Sequence, residues 1–206
     1  MTEGYKLILS TEEVHEDHLF IFGYPLSIAV LGGLYGFFKY FNLAEDVPLN
    51  PRAYRFPKLM LQGSFYFFAV MPLMLGVGYA WPQLLELLNL PMKPQALVTQ
   101  VANMSFSPIF FGIAFLAVIL APISEELLFR AFIYRSLKAY VSPTVSAVAT
   151  GLIFAAFHTN LHSFLPLFIL GYWLSRAYEK TGSLYVPIIL HALFNGNSLI
   201  TLLLIE

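Results

Sequence analysis

The alternation of long apolar runs with short polar breaks sets the frame. Leu19 to Phe41 and Leu59 to Trp81 carry Lys39 as their only charge, and each is long enough as a helix to cross a hydrocarbon core of about 30 Å. From Pro82 to Ser107 the pattern turns mixed. Pro91 and Pro94 interrupt it, and "QLLELLNL" (83–90) predicts a short amphipathic helix at the membrane interface rather than a full span. Ile109 to Tyr134 is apolar apart from Glu125, Glu126 and Arg130, with Pro122 expected to bend or restart the helix just before the acidic pair. Thr144 to His158 and Leu161 to Leu174 are short for independent spans and are expected to tuck into a bundle, and Leu184 to Ile205 is the last full-length span. The pattern predicts an all-α polytopic transmembrane bundle of about six spans plus the interfacial helix. It divides into an N-terminal part, residues 1–107, with an acidic tail, two spans and a connector, and a helical core, residues 108–206.

Composition agrees with a membrane protein. Of 206 residues, 58% are hydrophobic and only 11% charged, with a mean hydropathy of +0.72, outside the balance of a soluble domain. A net charge of −1 with scattered basic residues gives no polyanion-binding signature, so nucleic acid is not expected as a partner. With no cysteine there is no disulfide framework, thiolate nucleophile or Cys-ligated metal. The first eighteen residues hold Lys6 among Glu3, Glu12, Glu13, Glu16 and Asp17, which does not make the positive n-region of a signal peptide.

Charge also predicts orientation. With six spans both termini share a side. Lys39, Arg52, Arg55, Lys58, Arg135, Lys138, Arg176 and Lys180 then fall on one face, against Lys6 and Lys93 on the other. By the positive-inside rule the termini lie outside, and the site around Glu125 opens toward the cytoplasm of what is expected to be a prokaryotic plasma membrane.

The charges inside "PISEELLFR" (122–130) need explanation, because each costs about 2.5–3.5 kcal/mol at a bilayer centre. Residues four apart on a helix face the same side, so Glu126 and Arg130 form a natural ion pair, while Glu125 points elsewhere and is the candidate for chemistry. Two further pairs share that spacing inside apolar helices, Phe154 with His158 and His191 with Asn195. Three helices thus offer a carboxylate, an imidazole, and an imidazole with a carboxamide. Read structurally, the same residues are a buried ion pair and interhelical hydrogen bonds that hold the bundle together.

Other signals are weaker. His158 and His162 in "HTNLH" have a two-histidine metal spacing but lack the glutamate of H-E-x-x-H, so no metal site is expected. "HEDH" (15–18) is one residue too short for that motif and reads as solvated tail. Asp17 and Asp46, the only aspartates, lie outside the spans, which argues against an aspartyl protease, and there is no G-x-S-x-G elbow. Water activation by a carboxylate with histidine assistance remains, with donors for an oxyanion.

The three pairs, in order, resemble the E-E-x-x-x-R, F-x-x-x-H and H-x-x-x-N motifs of the CAAX protease and bacteriocin-processing family, also called Abi or CAAX prenyl protease type 2, and the resemblance covers about Pro108 to Ile205. It implies a glutamic intramembrane endopeptidase that needs no cofactor or metal. Glu125 and His158 would activate the attacking water, His191 and Asn195 would stabilise the oxyanion, and Glu126 with Arg130 would support the site. The implied partners are a peptide or lipid-modified protein substrate and the lipid bilayer. From the residues alone, a proton-coupled transporter or a non-catalytic immunity or scaffold protein stays open, and neither the substrate nor the oligomeric state is legible.

Overall fold

A computed structural model describes residues 55–93, 101 and 104–205, together with the isolated helical positions 29, 32, 33, 36 and 39. The expected span from Leu19 to Phe41 lies outside the described residues apart from those isolated positions, and so does the "HEDH" segment. Among the described residues the secondary structure is entirely helical, in five elements: α1 (Phe56–Leu87), α2 (Pro108–Lys138), α3 (Pro143–Phe157), α4 (Leu161–Thr181) and α5 (Tyr185–Ile205). By length and composition α1, α2 and α5 can cross a membrane, while α3 is apolar but shorter. The chain is an all-α integral membrane helix bundle.

α1 departs from the pattern-based reading. It runs unbroken through Pro72 and Pro82 to Leu87, so "QLLELLNL" is mostly its last turn and not a separate interfacial helix. A proline inside a helix costs one hydrogen bond and a ring clash, and neighbouring helices can compensate for both in a membrane bundle. The helix ends one turn later, with Leu88 and Leu90 N–H bonded back to Leu84 and Leu85 O and Asn89 at φ 53°.

The shorter helices have local stop and start signals. Ser142 caps the start of α3 by accepting from Val145 N–H, and Asn160 caps the start of α4 by accepting from Ser163 N–H. α4 ends at Gly182, whose φ of 64° suits glycine and lets its N–H close onto Tyr178 O.

α5 is central to the packing. Leu190 and Val186 join Leu59, Phe67, Val70 and Met74 of α1 and Leu170, Leu174 and Ala177 of α4 in one core. A second core links Ala131 and Tyr134 of α2 with Ala147 of α3, Tyr178 of α4 and Leu184, and a third sets Phe110 and Ile113 against Leu199, Leu202 and Leu203 of α5. The opposite face of α1 presents Leu61, Phe65, Phe68, Leu75 and Tyr79 outward, the composition a bilayer covers.

Two glycines decide how α3 and α4 cross. A Cβ on Gly151 would meet Phe168 O and Tyr172 N at 2.9 Å, and one on Gly171 would meet Gly151 Cα at 3.0 Å. The backbones are therefore in contact, the close approach that small residues permit in membrane helices.

α1 and α4 run antiparallel, with Trp81 Nε1–H donating to Leu161 O and Trp173 Nε1–H to Tyr66 O. Lys138 of α2 reaches Glu179 near the end of α4. Arg55, Lys58, Arg135, Lys138, Arg176 and Lys180 consequently gather at one end of the bundle, while Lys93, whose carbonyl accepts from Asn160 Nδ2, lies at the other.

Candidate active site

The site is built on α2, whose backbone changes register twice. Leu116–Leu120 and Leu127–Tyr134 are π-helical, and Ala121–Glu126 between them is α-helical. π segments inside longer helices often mark functional positions. Pro122 opens the α-helical stretch Ala121–Glu126 within one continuous element and does not restart a separate helix.

Glu126 is the hub. Its side chain is fully buried, and Oε1 accepts from Arg130 Nη1 and from His191 Nδ1, each at 2.8 Å. Arg130 is also fully buried and donates through Nη2 to Gly171 O at 2.9 Å, while its guanidinium carbon lies 5.1 Å from the centre of the Phe154 ring. The pair expected from spacing forms, and it ties α2 to α4 and α5. A buried carboxylate that loses its cation is expensive, so this geometry requires every partner to be in place.

Glu125 differs from its neighbour. Its side chain is 29% exposed, and Oε2 lies 3.7 Å from His191 Nε2, beyond a hydrogen bond. That oxygen is itself buried and has no hydrogen-bond partner, and neither does Glu126 Oε2. His191 thus spans the two glutamates. With Nδ1 donating to Glu126, its Nε2 faces Glu125 as an acceptor in the neutral ring and as a donor in the imidazolium, an assignment made from the hydrogen-bond network.

One turn further along α5, Asn195 Nδ2 donates to Ala117 O of α2 at 2.8 Å. This leaves the second hydrogen of its amide free to serve another acceptor. His158 follows the last residue of α3 and bonds its Nδ1 to Phe154 O at 2.8 Å, which leaves Nε2 as the acceptor of the neutral ring. The Phe154 ring lies between the two histidines, 4.8 Å from the His158 ring and 5.7 Å from that of His191. Glu125, Glu126, Arg130 and His191 are in direct or near contact; His158 joins them through Phe154, and Asn195 through the shared helix α5.

His162 does not share a helix face with His158. α3 ends at Phe157, Thr159 takes φ 47°, and α4 begins at Leu161, so the apparent one-turn spacing is broken by a turn. Among the described residues no three His, Cys, Asp or Glu side chains converge as metal ligands would.

Two contributors escaped the sequence reading, the carbonyls of Ala117 and Gly171. A backbone acceptor has no side-chain signature. Only Gly151 and Gly171, glycines within apolar helices, hint at a close crossing.

Residues 107–196 match the family described as "Type II CAAX prenyl endopeptidase Rce1-like". UPF0177 protein YxdF of Lactococcus lactis subsp. lactis (strain IL1403) is 34% identical over 88 residues, 41% of this chain and 48% of that protein. The chain thus spans about half the length of this curated relative. No solved structure matches. The matched residues run from the N-cap of α2 to Gly196 within α5 and so hold Glu125, Glu126, Arg130, His158, His191 and Asn195, and over this stretch the chain is similar to the CAAX prenyl endopeptidase family.

Proposed function

We propose that this protein is an intramembrane endopeptidase in which Glu125 activates the attacking water. One observation carries the reading: Glu126 is fully buried with Oε1 held by Arg130 and His191, whereas the Glu125 side chain is partly open and its Oε2 stands 3.7 Å from His191 Nε2 without a hydrogen bond, an acceptor that a water can reach. His158, its Nδ1 already engaged, offers Nε2 as a second acceptor for the same water. The water oxygen attacks the scissile carbonyl as its proton passes to Glu125. The C–N bond of the tetrahedral intermediate then breaks as Glu125 returns that proton to the leaving amine. His191 in its imidazolium form keeps Nδ1 on Glu126 and turns Nε2–H toward the oxyanion, and the free N–H of Asn195 supplies a second donor. No metal enters this scheme.

The substrate class that fits is a membrane-proximal or lipid-modified peptide, including a prenylated C-a-a-X tail, delivered from the bilayer. The gathered basic ends face the cytoplasm in this reading, in a prokaryotic plasma membrane. Glu125 then lies about 20 Å along α2 from Lys138, at about 1.5 Å of rise per residue.

Cleavage of a quenched prenylated C-a-a-X peptide by detergent-purified protein tests the reading. Cleavage should survive chelator, and Asn195→Ala should lower the rate about 10²- to 10³-fold while the protein stays folded. Chelator-sensitive cleavage, or full activity in Asn195→Ala, would overturn the scheme.

A further inference from the structure

The π segment before the two glutamates has a defined end. Ala121 N–H bonds to Leu116 O, five residues back, and the next donor in that register would be residue 122, closing onto Ala117 O. Residue 122 is proline and has no N–H. The Ala117 carbonyl is therefore denied its helical donor, in a membrane helix where each such group must find one. Asn195 Nδ2 on α5 meets it at 2.8 Å. The two helices are close here, since a Cβ on the following Gly196 would lie 3.6 Å from Val118 Cγ1.

Register decides which carbonyl is released. In an unbroken α-helix the missing Pro122 N–H would strand Val118 O, four residues back, and adjacent positions differ by about 100° around the axis. The π step moves the vacancy to Ala117, on the side that faces Asn195. The vacancy in turn fixes the carboxamide, because a carbonyl only accepts: a flipped amide would set oxygen against oxygen. One amide hydrogen is held and the direction of the other is determined.

We propose that Pro122 is a positioning residue for the oxyanion donor. By withholding the hydrogen that would close the π turn, it reserves Ala117 O for Asn195 and aims the remaining Asn195 N–H into the site. This rests on the reading of Asn195 as an oxyanion donor, and it adds the element that orients it. The acidic pair begins three positions later, so one proline both ends the π segment and opens the α turn that carries Glu125 and Glu126.

Pro122→Ala restores an N–H that competes with Asn195 for Ala117 O. Its kcat should fall toward that of Asn195→Ala, about 10²- to 10³-fold down, with KM little changed. The double variant should be no slower than Asn195→Ala alone, because both changes act through one donor. Lactic acid at position 122, which replaces the amide by an ester and again lacks an N–H, should rescue the rate. In protein labelled with ¹⁵N-asparagine, the Asn195 side-chain amide signals should shift in Pro122→Ala and return in the ester variant.

Multiplying losses in the double variant, or Asn195 signals that stay in place in Pro122→Ala, would overturn the proposal. The spectroscopic arm needs no turnover. An absence of cleavage by folded wild type would count against the peptidase reading, while the Asn195 signals would still decide the role of Pro122.

Discussion

Two carboxylates in this bundle hold similar sets of donors in different surroundings. Glu126 on α2 accepts from Arg130 and from His191 of α5, all three side chains buried. Glu179 on α4 accepts from Lys138 at 2.7 Å and from Tyr134 O–H at 2.8 Å, but Lys138 is 43% exposed and the group lines an open cavity of about 380 Å³. Each set has one carboxylate, one cation and one further donor. Water can replace any lost partner at Glu179. At Glu126 no such replacement is at hand, so charge matching there must be complete and its geometry becomes fixed. A fixed hub is what allows Glu125, one residue away, to keep an unpartnered oxygen without the site collapsing onto it.

The largest break in this comparison should come from Arg130→Ala, which leaves Glu126 buried against His191 alone. We expect a loss of about 3–5 kcal/mol, read as a large drop in thermal midpoint in detergent. Gly151→Ala should come next. Its methyl would meet backbone atoms of Phe168 and Tyr172, so α4 must shift and carry Gly171 O away from Arg130. Overpacking of this kind costs about 1–3 kcal/mol, and cleavage should decline with the loss of the hydrogen bond. The smallest effect is expected at the exposed set, where Lys138→Ala should cost about 0.2–1 kcal/mol and the cost should shrink further in high salt. Equal losses in Arg130→Ala and Lys138→Ala would dissolve the distinction between the two sets.

What could be read in advance follows from where the information sits. Polar groups in apolar helices stand out, so Glu125, Glu126, Arg130, His158, His191 and Asn195 could be singled out as candidates, and the pairing of Glu126 with Arg130 at helical spacing is observed. Ala117 and Gly171 contribute only carbonyls, and the π segments that expose one of them have no side-chain code. The reading of a separate interfacial helix after Trp81 failed because α1 continues through Pro82 to Leu87, where packing in a bundle can outweigh one lost hydrogen bond. The break between the segments ending at His158 and starting at Leu161 was legible, and the turn at Thr159 falls there.

The central claim is a division of labour between adjacent glutamates, with chemistry at Glu125 and architecture at Glu126. It is tested most directly by comparing Glu125→Gln with Glu126→Gln for cleavage of the prenylated peptide and for thermal midpoint. We predict that Glu125→Gln loses cleavage by at least about 10²- to 10⁴-fold while melting like wild type, and that Glu126→Gln melts far lower because Arg130 is left unpaired. Near-wild-type cleavage in Glu125→Gln, or equal destabilisation in the two variants, would contradict it.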